Sequence, residues 1–204
     1  MAYYFEENPI SKSCEKNIKV FIKGTHFVFF TDNDVFSKKG LDFGTRTLLE
    51  SLDLDSINGK ILDFGCGYGP IGIYLAYNKK EVDMIDINSR AIELSIKNAK
   101  VNKVNVNVFK SDIYSNVTDK YDYIISNPPI RVGKEILNSI LFGASKYLNK
   151  NWHLIFVINK DQGAKTIAKK LEEMYDVSII NKNKGFYVID CQNRWQVAHS
   201  LVKL

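Results

Sequence analysis

Asp63-Phe64-Gly65-Cys66-Gly67-Tyr68-Gly69 ends a short apolar run and is followed at once by Pro70 and a helical pattern. Glycines at 65, 67 and 69 let backbone amides approach a ligand closely, and the helix behind them turns its positive end toward it. Pro70 suits the first helical turn, where a missing N–H costs nothing. Gly67-Tyr68-Gly69-Pro70-Ile71-Gly72 also spells the G-x-G-x-x-G of dinucleotide sites, with Asp86 at about the distance of the ribose-binding acid. The glycines alone admit both a dinucleotide and a methyl donor. Asp63 favours the second, because a carboxylate at the strand end repels a pyrophosphate and attracts the cationic amino acid end of S-adenosylmethionine.

Asp86 closes the next apolar run in Met84-Ile85-Asp86-Ile87-Asn88, where an acid can accept from both hydroxyls of a ribose. Asn88 or Ser89 suits the cap of a following helix. Asp112, in Lys110-Ser111-Asp112-Ile113, is placed to accept from an adenine amino group, although Ser-Asp is also ordinary turn chemistry. Ile87, Ile113 and Cys66 are expected in the same cofactor wall. Cys66 has no evident base to make it a nucleophile. His26, His153 and His199 lack metal-ligand spacing, so no metal is expected.

Asn127-Pro128-Pro129-Ile130 follows a further apolar run, Ile124-Ile125-Ser126. An exocyclic amino group conjugated to a ring or carbonyl is a poor nucleophile; two acceptors that hold its protons also aim its nitrogen at an electrophile. The Asn127 side-chain oxygen and the Pro128 carbonyl are the candidates, with Pro128 and Pro129 fixing the backbone that carries them. Asn-Pro in isolation is more often a strand-ending turn. Ile130 stands beside the acceptors, and Arg131 and Lys134 are placed to contact phosphates, though they also suit a solvated helix start.

For these loops to face one ligand, their strands must lie parallel in one sheet with the loops at its carboxyl edge. From residue 60 onward, short apolar runs alternate with amphipathic ones. Strands are expected over 61–62, 82–85, 104–109, 121–126 and 152–158, and helices over 70–77, 89–100, 134–147 and 163–174. That alternation predicts five βα units around a parallel sheet. In the helix over 89–100, Ile92, Ile96 and Ala99 are expected to face the core and Glu93 to pair with Lys97. Runs over 177–180 and 186–190, around Asn181-Lys182-Asn183-Lys184-Gly185, predict a closing antiparallel hairpin. The expected fold is a Rossmann-like α/β class I methyltransferase core over 58–190. Residues 1–57 form an appendage, a hairpin around Lys23-Gly24-Thr25-His26 and a helix over 42–52. Residues 191–204 read as a tail.

At 204 residues and 45% hydrophobic, the chain can bury one substantial core. Its net charge of +5 suits a polyanion, but Lys, Asn and Ile are abundant throughout, which dilutes that signal. Cys14, Cys66 and Cys191 have no C-x-x-C spacing, pointing to a reducing cytoplasm and away from a disulfide framework or a zinc site. No apolar run approaches the ~20 residues of a membrane helix, so a soluble protein with no membrane partner is expected, with a monomer favoured.

Together these motifs resemble the RsmC-like family of small-subunit ribosomal RNA guanine-N2 methyltransferases, and especially its short single-domain bacterial members. The resemblance spans about residues 3–190. It includes Asn33-Asp34-Val35-Phe36-Ser37-Lys38-Lys39, Leu41-Asp42-Phe43-Gly44-Thr45-Arg46 and Lys184-Gly185-Phe186-Tyr187 besides the loops above. It implies a seven-stranded sheet with a reversed last hairpin. It implies that Asp63, Gly65, Gly67, Asp86 and Asp112 bind S-adenosylmethionine and that Asn127 with Pro128 holds the target amino group. It also implies that Phe36, Asp42, Gly44 and Thr45 complete the pocket and that ribosomal RNA or the small subunit is the partner. Ile130 departs from relatives with an aromatic ring there. The larger relatives' duplicated N-terminal domain is missing from this sequence. A protein glutamine-N5 methyltransferase, a non-catalytic RNA-binding module on the same fold and a nicotinamide oxidoreductase are the competing readings.

Overall fold

The computed structural model describes residues 7, 11–129 and 133–194. The elements in chain order are β1 (Lys16–Ile22), β2 (Thr25–Thr31), α1 (Phe43–Ser51), β3 (Lys60–Phe64), α2 (Pro70–Tyr77), β4 (Glu81–Asp86), α3 (Ser89–Val101), β5 (Asn107–Lys110) and β6 (Tyr121–Ser126). They continue with α4 (Lys134–Gly143), β7 (Leu148–Asn159), α5 (Ala164–Leu171), β8 (Tyr175–Asn183) and β9 (Phe186–Asn193).

Seven strands form one sheet in the order β5-β4-β3-β6-β7-β9-β8. β5, β4, β3, β6 and β7 run parallel, and β9 alone reverses, lying antiparallel to both β7 and β8. This is the class I methyltransferase arrangement. Strand residues alternate between two apolar layers: Ile61, Ile125, Ile155 and Val157 face α1, α2, α3 and the β1–β2 hairpin, while Leu62, Ile124, Leu154 and Phe156 face α4 and α5. No helix among the described residues is long and apolar enough to cross a membrane.

Four local expectations are corrected. Four of the five βα connections contain a helix; β5 leads instead through turns over 111–120. There Ser111 Oγ donates to the Ile113 carbonyl and accepts from Asn116 N–H, a local network that competes with helix. In α3 the buried face is Ala91, Leu94, Ser95, Asn98 and Ala99, and Ile96 is 39% exposed. The polar members of that face are satisfied by distant segments, which a hydrophobic pattern does not register. Lys97 pairs with Glu15, not Glu93, and lies 3.8 Å from the centre of the Phe30 ring. β9 continues through the buried Cys191 and Asn193, so the first three residues of the expected tail belong to the sheet. Trp195 and the rest of that tail lie outside the described residues.

The appendage docks through side chains that imitate a strand. Phe30 N–H donates to Asn98 Oδ1 at 2.7 Å and Asn98 Nδ2 returns a bond to the Phe30 carbonyl at 2.9 Å. One helical turn on, Asn102 makes the same pair with Val28 at 3.1 and 2.8 Å. Asn98 and Asn102 therefore pair the free edge of β2, and Asn98 Nδ2 also donates to the Tyr68 carbonyl in the glycine loop at 2.8 Å.

Candidate active site

The glycine loop leaves β3 and enters α2 through left-handed backbone at Gly65 (φ 70°), Gly67 (φ 58°) and Gly69 (φ 95°). Their tasks differ. A side chain on Gly67 would meet nothing within 4 Å, so its bare backbone opens on a cavity. A Cβ on Gly69 would lie 2.9 Å from Ile73 Cδ1; this glycine serves packing and is not in the cavity wall. Asp86, half-buried at the end of β4, accepts from Gly67 N–H and from Asn88 N–H, both at 2.9 Å. It thereby fixes the loop while lining the same cavity, and burial raises its carboxyl above the usual range.

Asp63 lies behind the loop, fully buried. Its Oδ2 accepts from Gly72 N–H at 2.8 Å, and its Oδ1 is buried with no hydrogen-bond partner. Burial pushes its carboxyl up to about 7, with Asp86 adding to the rise and the Gly72 amide opposing it. Asp63 is outside the cavity wall, so it acts on a ligand there through its charge and through the loop it braces.

The cavity is about 360 Å³, within the range of small-molecule sites. Gly65, Cys66, Gly67, Asp86, Ile87, Asp112 and Ile113 line one part of it. Asp112 is exposed at the rim. Ile113 has φ 50°, a conformation that costs a β-branched residue on the order of 1 kcal/mol or more, and the Ser111 bonds hold it there. Burial keeps the Cys66 thiol well above its ordinary range, so the thiolate is suppressed and its role is packing.

Asn127, Pro128 and Pro129, at the end of the adjacent β6, line the remainder with Asp42 and Thr45. Asn127 Nδ2 donates to Asp42 Oδ2 and to Thr45 Oγ1, each at 2.9 Å. Asp42 also caps α1, accepting from Thr45 N–H at 2.9 Å. A carboxylate can only accept, so the amide nitrogen must face Asp42 and Asn127 Oδ1 must face away from it. Among the described residues no group donates to that oxygen. The exposed Phe36 joins the wall from a loop held by Asn88 Nδ2 on the Asp34 carbonyl and by Arg90 on the Asn33 carbonyl, both at 2.9 Å.

Gly44 is not in the wall; a Cβ there would meet Phe186 Cε1 and Asp42 Oδ2 at 2.9 Å, so it permits their approach. Lys134 is exposed at the start of α4 and outside the wall. Ile130 and Arg131 lie outside the described residues. Sequence reasoning missed Phe186, Gln162, Ile136 and Ile140 as wall residues. Only Phe186 carried any signal, as an aromatic residue opening the last strand.

The model of the methyltransferase small domain matches residues 26–190, reaching from β2 into β9. The chain belongs to the methyltransferase small domain family. A Bacillus subtilis relative, the uncharacterized protein YbxB, is 42% identical over 193 residues, 92% of this chain and 96% of that protein. Ribosomal RNA small subunit methyltransferase C of Vibrio vulnificus is 43% identical over 131 residues, 61% of this chain but only 38% of its own length. In fold, the chain matches the T. thermophilus 16S rRNA N2 G1207 methyltransferase RsmC, solved with AdoMet and guanosine, at a TM-score of 0.81 and 22% identity. That match covers 91% of this chain and 52% of that one.

Methyltransferases of this class use S-adenosylmethionine, and the small-domain cavity fits it. The bare Gly67 backbone and the Asp86 carboxylate at a strand end suit a nucleoside ligand, and the negative charge that Asp63 can carry behind the loop suits a cationic one.

Proposed function

We propose that the protein transfers a methyl group to the exocyclic N2 amino group of a guanine in small-subunit ribosomal RNA. The observation that carries this reading is Asn127, whose amide protons are committed to Asp42 and Thr45 so that its oxygen is presented as an acceptor beside the Pro128 carbonyl. The relatives named as ribosomal RNA small subunit methyltransferase C support the substrate.

In this reading Asp86 holds the ribose, Asp112 and Ile113 bound the adenine, and Asp63 offsets the positive charge of the donor, with Gly65, Cys66, Gly67 and Ile87 completing that wall. S-adenosylmethionine, when bound, would supply an electrophilic methyl carbon for the acceptor nitrogen, with sulfur as the leaving group. Asn127 Oδ1 and the Pro128 carbonyl accept the two amino protons, hold the nitrogen in line and stabilise the positive charge it gains until one proton passes to solvent. Pro129 keeps that backbone rigid. Ile130, Arg131 and Lys134 follow the acceptors in the chain and are assigned to RNA contact, the cations to phosphates. A paired target base must leave the stack to reach the cavity.

The test offers radiolabelled methyl donor with undermethylated small ribosomal subunits, free ribosomal RNA and release factors in separate reactions. Label in N2-methylguanine is the expected result; label only in a protein glutamine would sink the RNA reading. Asn127→Ala should bind S-adenosylmethionine normally by calorimetry while transfer falls by about a hundredfold or more. Equal loss of both would contradict its role.

A further inference from the structure

We propose that Phe186 and Gln162 form the subsite for the acceptor ring, the phenyl group carrying the ring's face and the Gln162 amide nitrogen donating to a ring carbonyl. This rests on the guanine reading above and supplies what Ile130 does not. The order of strands at the carboxyl edge places the subsite. Asp86 and Gly67 stand at the ends of β4 and β3, Asn127 at the end of β6, and next comes β7, whose last residue Asn159 pairs with Phe186 at the start of β9. Neighbouring strands are ~4.8 Å apart, so Gln162 and Phe186 lie beyond Asn127, on the side away from the cofactor loop. A ring whose amino group is held at Asn127 with the donor on one side extends toward the other.

Both side chains are prepared for that task. The Phe186 ring packs 5.7 Å from Phe43, tilted 49°, and so close to the Gly44 backbone that a Cβ there would touch it at 2.9 Å. It is braced from behind by α1 and contributes to the cavity wall. Gln162 Oε1 accepts from Asn159 N–H at 2.9 Å, which fixes the amide so that it offers Nε2. That nitrogen has no partner among the described residues, and Gln162 also lines the cavity. A donor there matches the O6 acceptor of guanine and opposes a ring carrying an amino group at that position. The single turn 42–45 thus supports both halves of the acceptor subsite, Asp42 and Thr45 through Asn127, Phe43 and Gly44 through Phe186.

The experiment titrates protein saturated with S-adenosylhomocysteine with guanosine and with 2-aminopurine riboside, which keeps the 2-amino group and lacks O6. Phe186→Leu should weaken both nucleosides about tenfold, Phe186→Tyr should restore them, and affinity for S-adenosylhomocysteine should stay unchanged. Gln162→Glu retains the acceptor for Asn159 and loses the donor; it should weaken guanosine about tenfold or more and leave 2-aminopurine riboside unchanged. Guanosine binding by Phe186→Leu equal to wild type would overturn the Phe186 assignment alone, and equal losses of both nucleosides in Gln162→Glu would overturn the Gln162 assignment alone. Failure of the wild-type protein to bind guanosine at millimolar concentration would overturn the guanine reading and the subsite with it.

Discussion

Asp42 does two things with one oxygen, capping α1 through Thr45 N–H and holding the Asn127 amide. Asn is as good an N-cap as Asp, so Asp42→Asn isolates the second task. The variant should melt within a degree or two of wild type, yet lose about tenfold in kcat without change in cofactor affinity, because the Asn127 amide is then free to turn its nitrogen toward the acceptor. Unchanged kcat would remove Asp42 from the positioning role. Asp63 makes a pH prediction. Its folded-state pKa of about 7 exceeds the ~3.9 of an unfolded aspartate. Between these values the folded protein holds a proton that the unfolded chain releases. The stability from Asp63 is therefore present below about pH 4 and lost as pH rises through about 7. A cation nearby favours the ionised form, so affinity for S-adenosylmethionine should rise from pH 6 to 7.5. Asp63→Asn should flatten both dependences, read by urea unfolding and by calorimetry.

Among the elements, the hairpin was legible from its own residues, while its docking was not. Lys23-Gly24 and the β-branched and aromatic runs on either side are local signals. The bonds that seat β2 come from Asn98 and Asn102 on α3, more than sixty residues away, and asparagine in a helix ordinarily signals solvent. The same blindness placed Ile96 in the core in place of Asn98. Asn98→Ala leaves the Phe30 and Tyr68 groups short of partners inside the protein. It should cost roughly 1–3 kcal/mol in urea unfolding and speed amide exchange in β2 before it does so in β6. Exchange that quickens equally everywhere would mean that the hairpin has no separate docking step. The turns over 111–120 escaped for a related reason, since Ser111 and Asn116 satisfy the backbone locally in a connection that was counted among the βα units without a helical pattern of its own.

For the whole molecule, the two loops were legible because a parallel sheet brings successive strand ends to one edge, so Asp63–Gly69 and Asn127–Pro129 had to meet once the alternation was recognised. Phe186 and Gln162 were not, because they arrive through the reversal of β9 and a turn after β7, neither of which marks its residues chemically. The complete cavity should raise the melting temperature with S-adenosylhomocysteine in proportion to the logarithm of its concentration and respond little to NAD. A shift with NAD alone would return the site to the dinucleotide reading. Asn98 gives this cavity a remote correspondent, since one amide bonds Phe30 in the hairpin and Tyr68 in the glycine loop. Any coupling between cofactor binding and the seating of the hairpin through this amide is reciprocal, so that whatever tightens one tightens the other. Residues 16–31 are outside the cavity wall, and loosening them by Asn98→Ala is expected to weaken S-adenosylhomocysteine binding, read by calorimetry.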